Sequence, residues 1–276
     1  MKRLIVSDSS SNKFTFDGMD YRYVSLKVMA DKREFVDREG LNVEEMVNVV
    51  EKSSVTSTSC PNSQEWMEAF EGYDEIFAIT ITNRLSGSYA SCVMARDEYL
   101  EEHPEVKIDI VDSLETGPGM VLIMEKLAEL TSQGLSFEET VEKIHEYQKT
   151  THLCFSLASI QNLAKNGRVT PVVAKLVGLF GIVLLGRASP EGTIDIVNRS
   201  RGEKKSVKVI YDEMIEMGYK GGKVSISHVL CPEKAAKVRD LVREHYPNAH
   251  VDIHPCTGLC SYYAERGGMI IGYECQ

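Results

Sequence analysis

The chain has 276 residues, of which 43% are hydrophobic and 26% charged, with a formal net charge of −10. This composition is typical of a folded globular protein, and the length fits one large domain or two ordinary ones. The acidic balance argues against a nucleic-acid partner and against docking on an anionic membrane surface.

Neither a long apolar run at the start nor any stretch of about 20 apolar residues is present. We therefore expect no signal peptide and no integral membrane segment. The seven cysteines, an odd number spread over the chain, fit reduced thiols. Together these features predict a soluble cytoplasmic protein.

The first half of the sequence alternates strands with helices. In chain order we predict a strand over 3–7, a hairpin over 14–24 turning at Gly18, a strand over 23–29, a helix over 41–50, a strand over 75–82, a helix over 87–102, a strand over 106–112, and helices over 119–133 and 136–149. This alternation favours a Rossmann-like, mainly parallel sheet. Ligands of such sheets bind beyond the carboxyl ends of the strands.

The second half begins after a predicted domain boundary near residue 150. Its elements are a strand over 152–157, helices over 205–217 and 232–245, and strands over 223–228 and 269–273. We therefore predict two α/β domains with a ligand between them. Residues 1–150 form the Rossmann-like domain, and residues 151–276 form a smaller α/β sandwich. The most apolar window, 172–185, is interrupted by Lys175 and two glycines and fits buried structure.

A hydroxyl-rich segment begins at Thr56, where five of eight residues are serine or threonine. Pro61 within it suits the first turn of a helix. A hydroxyl ahead of a helix either caps the helix or donates to an anion bound at its N-terminus. The segment taken alone favours capping.

A second polar segment, Leu85-Ser-Gly-Ser-Tyr, directly follows the predicted strand over 75–82 and precedes a helix. This is the expected anion position in a parallel sheet, and Gly87 allows a ligand to approach the backbone. The preceding Asn83-Arg lacks the first glycine of a nucleophile elbow, so Ser86 is a poor hydrolase nucleophile. Neither a G-x-G-x-x-G turn after the first strand nor a Walker-A lysine motif is present, so we predict no nucleotide cofactor.

Seven short motifs, in order and spacing, resemble those of the DegV family across nearly the whole chain. They are Val6-Ser-Asp-Ser-Ser, Thr58-Ser-Cys-Pro, Arg84-Leu-Ser-Gly-Ser-Tyr, Asp109-Ile-Val-Asp-Ser, Asn162-Leu-Ala-Lys-Asn-Gly-Arg-Val, Arg201-Gly-Glu-Lys-Lys-Ser and His254-Pro-Cys-Thr-Gly. The resemblance implies a two-domain protein that binds a long-chain fatty acid such as palmitate, stearate or oleate. It further implies a binding subunit, not an enzyme, that presents the acyl carboxylate to a fatty acid kinase catalytic subunit.

The same resemblance implies roles for particular residues. The carboxylate-binding set would be Thr58, Ser59, Ser86, Gly87, Ser88 and His254. The acyl chain would run between the domains, along Phe155 and the window over 172–185. At motif positions, Arg168 and Arg201 would flank the pocket mouth and meet the kinase or the acyl phosphate, whose charge suits a guanidinium.

The sequence departs from the family pattern at several of these motifs. Cys60 stands where glutamine is usual, Ser88 where threonine is usual and Asn166 where glycine is usual. Pro255-Cys-Thr replaces the usual Val-Gly-Pro after the histidine. The hydroxyl chemistry is retained.

Three alternatives remain at the level of sequence. One is a hydrolase of small esters or carboxylates, with Ser86 as nucleophile and His254 as base. It needs a carboxylate to orient the histidine, and Asp252, the candidate in the sequence, makes a poor triad. Another is a purely structural or regulatory module. Cys256 and Cys260 beside His254 resemble half a metal site, but four ligands are usual, so we predict no metal and no cofactor.

Overall fold

The structure is a computed structural model that describes residues 1–176 and 181–275. The strands are β1 Arg3–Asp8, β2 Asp20–Val24, β3 Lys27–Ala30, β4 Arg33–Val36, β5 Thr56–Ser59, β6 Glu75–Thr80, β7 Lys107–Asp112, β8 Thr151–Leu157, β9 Ile182–Ala188, β10 Ile194–Arg201, β11 Val224–His228, β12 Val251–Pro255 and β13 Met269–Glu274. The helices are α1 Val43–Val50, α2 Ser63–Phe70, α3 Ser88–Glu102, α4 Pro118–Ser132, α5 Phe137–Gln148, α6 Gln161–Lys165, α7 Pro171–Ala174, α8 Glu203–Glu216, α9 Pro232–His245 and α10 Gly258–Ala264.

A four-stranded sheet of order β2-β1-β6-β7 forms the centre of the first half, and all its strand pairs are parallel. Every residue of β6 is buried, as expected for a strand covered by helices on both faces. The prediction of a Rossmann-like, mainly parallel sheet is confirmed.

The predicted hairpin around Gly18 is wrong. Residues 14–18 lie outside any strand, and β2 pairs in parallel with β1 instead. The aromatic alternation that suggested a hairpin comes from ring packing across a loop, since Phe16 and Tyr21 have ring centroids 5.9 Å apart. The Tyr21 hydroxyl also donates to the Lys13 carbonyl at 2.8 Å. The predicted strand over 23–29 is likewise divided between β2 and β3.

A small antiparallel sheet of order β4-β3-β5 lies beside the parallel sheet. It contains the hydroxyl-rich segment, which forms a strand rather than a helix cap. The helix after it is capped by Asn62, whose side chain accepts from the Glu65 amide while the Glu65 carboxylate accepts from the Asn62 amide. Pro61 therefore precedes the helix and does not occupy its first turn.

The second half is built on a six-stranded mixed sheet of order β10-β9-β8-β13-β11-β12. One apolar core on this sheet includes residues of α8 and α9, and another lies toward the small sheet and α1. All its strands follow residue 150, whereas the strands of the other two sheets precede it. The predicted boundary at residue 150 stays a prediction. The apolar window over 172–185 contributes to α7 and β9, and its residues 177–180 lie outside the described residues.

Many contacts join the halves, and two of them position elements of the site. At Gly272 of β13 the first turn of α4 comes so close that an added Cβ would lie 2.7 Å from the Gly119 amide nitrogen. Asp37, directly after β4, accepts from the amides of Gly258 and Leu259 at 2.6 and 3.0 Å and so anchors the start of α10. Burial raises the pKa of Asp37 to about 6, although these hydrogen bonds oppose the shift.

Candidate functional site

A cavity of about 280 Å³ lies between the six-stranded sheet and the carboxyl end of the parallel sheet. Leu153, Phe155 and Leu157 line it, because alternate residues of β8 share one face. Ile270 of the neighbouring strand extends this wall. The cavity is therefore largely apolar along the second half of the chain.

The Phe155 side chain has room at this wall because residue 186 is glycine. A Cβ at Gly186 would lie 2.3 Å from the Phe155 ring and 2.2 Å from the Asp195 carbonyl oxygen. A larger residue at position 186 would force the ring to move.

The opposite wall carries the hydroxyl groups. Thr58 and Ser59 at the end of β5 and Ser86 and Gly87 after β6 line the cavity together. The two segments are in close contact, since an added Cβ at Gly87 would lie 3.2 Å from the Cys60 sulfur. The structure thus brings four of the predicted ligand-binding residues to one place.

These groups offer hydrogen-bond donors to an anion. The Thr58 hydroxyl lies 2.7 Å from the Tyr263 hydroxyl, and the Ser86 hydroxyl accepts from the Ser88 amide at 3.2 Å. Gly87 occupies the N-cap position of the 15-residue helix α3, where it has no side chain to cap the helix. A helix N-terminus with its free amides favours negative charge.

Arg168 also lines the cavity and holds the loop that carries Ser86. Its Nε donates to the Leu85 carbonyl at 3.0 Å, and its guanidinium donates to the Asn166 carbonyl. Burial raises the pKa of Tyr263, while the Thr58 hydrogen bond and the Arg168 charge oppose that rise. The positive charge of Arg168 therefore lies close to the hydroxyl groups of Thr58 and Tyr263.

Ser88 does not line this cavity. Its side chain is buried and its hydroxyl donates to Asp8 at 2.6 Å. Asp8 also accepts from the Ile81 amide at 2.9 Å. Burial raises the pKa of Asp8, and the hydrogen bonds from Ser10 and Ser88 oppose that rise. Ser88 thus connects α3 to β1.

His254 and Arg201 also lie away from the cavity lining. His254 is on β12, where its Nε2 lies 3.4 Å from the Lys13 Nζ. Burial and the Lys13 charge lower its pKa. Arg201 is exposed at the end of β10. Because His254 and Ser86 do not share the cavity, this geometry gives the hydrolase alternative no general base.

Tyr263 and Glu115 are among the lining residues that the sequence analysis did not predict. Tyr263 belongs to α10, whose start Asp37 anchors to the first half of the chain. Glu115 follows β7, so its place at the carboxyl end of a parallel strand was a signal that could have found it.

Within residues 1–176 and 181–275, no group of three or more His, Cys, Asp or Glu side chains could hold a metal ion. Cys260 donates to the Ser10 carbonyl at 3.2 Å, and burial raises its pKa to about 12. A thiol held protonated is a poor metal ligand. In the same part of the chain no helix is long and apolar enough to span a bilayer.

Comparison with known proteins identifies the family. The model of the DegV family, described as uncharacterised proteins, matches residues 2–274. The chain belongs to the DegV family. A DegV domain-containing protein of Streptococcus gordonii is 42% identical over 256 residues, which is 92% of this DegV chain and 91% of the relative.

Two solved structures of similar proteins contain fatty acids. The Fatty Acid Kinase (Fak) B3 protein of Streptococcus pneumoniae, loaded with linoleic acid, is 38% identical, with a TM-score of 0.97 and full coverage of both chains. A DegV family protein of Eubacterium eligens, loaded with heptadecanoic acid, is 40% identical, with a TM-score of 0.96, and the match covers 99% of this chain and 100% of that one. The two-domain α/β fold of this DegV chain is that of these proteins.

Proposed function

We propose that this chain binds a long-chain fatty acid such as palmitate, stearate or oleate. The carboxylate lies at Thr58, Ser59, Ser86 and Gly87, and the acyl chain lies along Phe155 and its neighbours. The observation that carries this proposal is the meeting of two hydroxyl-bearing segments at one wall of a largely apolar cavity. The fatty acids in the two similar structures support it.

The energetics of such a site are favourable. A carboxylate buried without partners costs several kcal/mol, and hydrogen bonds to a charged group each contribute roughly 1.5–3 kcal/mol. Tyr263 positions the Thr58 hydroxyl through their 2.7 Å contact. The acyl chain supplies most of the affinity, at about 0.8 kcal/mol for each buried methylene.

We further infer that the protein is a binding subunit that presents the carboxylate to a fatty acid kinase. A surface recess lined by Asn83, Tyr89 and Gly167 shares Ser86, Gly87 and Arg168 with the cavity. The proposed head group therefore lies next to an opening through which a partner can deliver a phosphoryl group. The seven cysteines are not joined by disulfides, which fits the cytoplasmic location that the sequence predicts.

Mass spectrometry under denaturing conditions tests the binding proposal. We expect the purified protein to release a C14–C18 fatty acid. In delipidated protein, Ser86→Ala should weaken stearate binding by about 10- to 100-fold, as expected for one lost hydrogen bond to a carboxylate. Ser91→Ala, one turn further along α3 and outside the cavity lining, is the matched control. A wild-type protein that carries no fatty acid and binds none would contradict the proposal.

Replacing Arg168 tests the presentation step. With a fatty acid kinase catalytic subunit, ATP and enough fatty acid to saturate both proteins, Arg168→Ala should slow formation of the acyl phosphate relative to wild type. Arg239→Ala on α9, whose guanidinium pairs with Asp240 at 2.8 Å, is the control. Equal phosphorylation rates for wild type and Arg168→Ala would remove the proposed role of this arginine.

A further inference from the structure

Two neighbouring tyrosines of α10 contact two threonines of β5. The Tyr262 hydroxyl donates to the Thr56 hydroxyl at 2.7 Å. The Tyr263 hydroxyl lies at the same distance, 2.7 Å, from the Thr58 hydroxyl. Thr56 and Thr58 are two residues apart on one strand, so their side chains point to the same face. The same kind of tyrosine–threonine contact therefore occurs twice, side by side.

The two pairs differ in how their hydrogen bonds are completed. The Tyr262 hydroxyl also accepts from the Asn166 side-chain amide at 2.8 Å, and Tyr262 is only 1% exposed. Tyr263 and Thr58 have no third hydrogen-bonding partner among the residues that the structure describes, and both line the cavity. This second pair is therefore open to a partner that comes from the cavity.

The hydroxyls of Tyr263 and Thr58 carry two protons between them. A hydrogen bond from one to the other uses only one of these protons. Burial raises the pKa of Tyr263, so the phenol keeps its proton at neutral pH. A carboxylate has two oxygens that only accept, and it takes two parallel hydrogen bonds from donors that lie side by side. The 2.7 Å between the two hydroxyl oxygens suits this arrangement.

We propose that Tyr263 binds the fatty-acid carboxylate directly: its O–H donates to one carboxylate oxygen, and the Thr58 hydroxyl donates to the other. The inference rests on the proposed fatty-acid binding and adds a ligand-binding residue to it. Ligand entry exchanges one hydrogen bond between neutral groups for two to a charged group, each roughly twice as strong. The charge of Arg168 lies close to Tyr263 and favours an anion at this place.

The contact with Thr58 also gives Tyr263 a positioning role, and a double variant separates this role from direct binding. Stearate binding is measured for delipidated wild type, Tyr263→Phe, Thr58→Val and the double variant. Tyr263→Phe should weaken binding about tenfold in the wild type, as expected for one hydrogen bond to a charged group. It should do so by about the same factor in the Thr58→Val background, because the phenol contacts the ligand itself. An unchanged affinity in that background would mean that Tyr263 acts only through Thr58, and the inference would be wrong.

A second ligand tests whether the lost contact is with the carboxylate. 1-Octadecanol has the chain length of stearate and a neutral head group. Tyr263→Phe should weaken its binding about threefold or less, because hydrogen bonds between neutral groups are roughly half as strong as those to ions. An equal loss for both ligands would show that the substitution disturbs the cavity, and it would also overturn the inference.

Tyr262→Phe is the matched control. It removes a phenolic hydroxyl from the adjacent tyrosine–threonine pair, but Tyr262 does not line the cavity. We expect this variant to be less stable and to keep the stearate affinity of wild type. A loss of affinity equal to that of Tyr263→Phe would assign the effect to α10 as a whole, against a direct contact from Tyr263.

The outcomes distinguish this inference from the function on which it rests. If wild type binds stearate and Tyr263→Phe binds it equally well, the role of Tyr263 is wrong, whereas fatty-acid binding stands. If wild type binds no stearate, the proposed function itself fails. Tyr263→Phe keeps the ring, whose centroid lies 4.8 Å from that of Tyr262. The comparison of the two ligands needs only this variant, so it decides the question even if the Thr58→Val variants do not fold.

Discussion

Replacing Glu115 with glutamine should make the ligand-free protein more stable at alkaline pH and change its stability little at pH 5. The reason is that burial raises the pKa of Glu115 from its usual 4.5 to about 8. Below pH 4.5 the carboxyl group is neutral in both the folded and the unfolded chain. Between pH 4.5 and 8 the unfolded chain loses this proton while the folded chain keeps it, so the wild type loses stability as the pH rises.

The magnitude follows from the two pKa values. Each pKa unit between them is worth about 1.4 kcal/mol, which sets an upper limit of about 5 kcal/mol above pH 8. The glutamine variant has no proton to lose. Its free energy of unfolding minus that of the wild type should therefore grow by up to about 4 kcal/mol between pH 5 and pH 8.5 and level off beyond.

Urea unfolding of both delipidated proteins at pH 5, 6.5, 8.5 and 9 measures this difference. Asp8 and Asp37 also have raised pKa values, but both proteins contain them, so their effects cancel. Burial raises the pKa of the neighbouring Cys154 and Tyr273, which stay protonated over this range. A constant difference between variant and wild type from pH 5 to 9 would refute the argument that Glu115 is buried and neutral.

Three further substitutions test the packing around the site by urea unfolding. Asp37→Ala leaves two buried amides of α10 without an acceptor and should cost about 3 kcal/mol; a loss below 0.5 kcal/mol would contradict the anchoring. Ser88→Ala removes a donor to Asp8 and should lower the free energy of unfolding by about 1–3 kcal/mol. Ser88→Thr keeps the hydroxyl and should lower it less. Gly186→Ala forces the Phe155 ring aside and should cost about 1–3 kcal/mol and weaken stearate binding; unaltered binding would place the acyl chain elsewhere.

The parallel sheet and the Ser86 loop were predictable because they depend on local patterns. A continuous apolar run such as β6 is buried whatever the details of its neighbours, and the loop after it must lie at the ligand-binding edge. Thr58 could not be assigned to the site from local patterns, and its predicted role came from the family resemblance. Its strand has four residues, all with hydroxyl groups, and gives no strand signal when read alone.

Ser88 and His254 do not line the cavity, and their positions could not be predicted from the sequence. A serine near a glycine turn identifies a hydrogen-bond donor but not the acceptor, and the acceptor of Ser88 is Asp8, 80 residues earlier. His254 is placed by the pairing of β12 at the edge of its sheet. Such long-range pairing cannot be read from the residues around the histidine.

The burial of Glu115 also depends on tertiary structure, but this side chain does line the cavity. A glutamate after a strand usually extends into solvent, and its charge then costs nothing. Here the second half of the chain covers it, and Gly119 allows α4 to approach. The lining of the cavity therefore combines hydrogen-bond donors for a carboxylate with a buried carboxyl group whose pKa burial raises to about 8. No pattern in the residues around position 115 records this burial, because the residues that cover the side chain come from the second half of the chain and from α4.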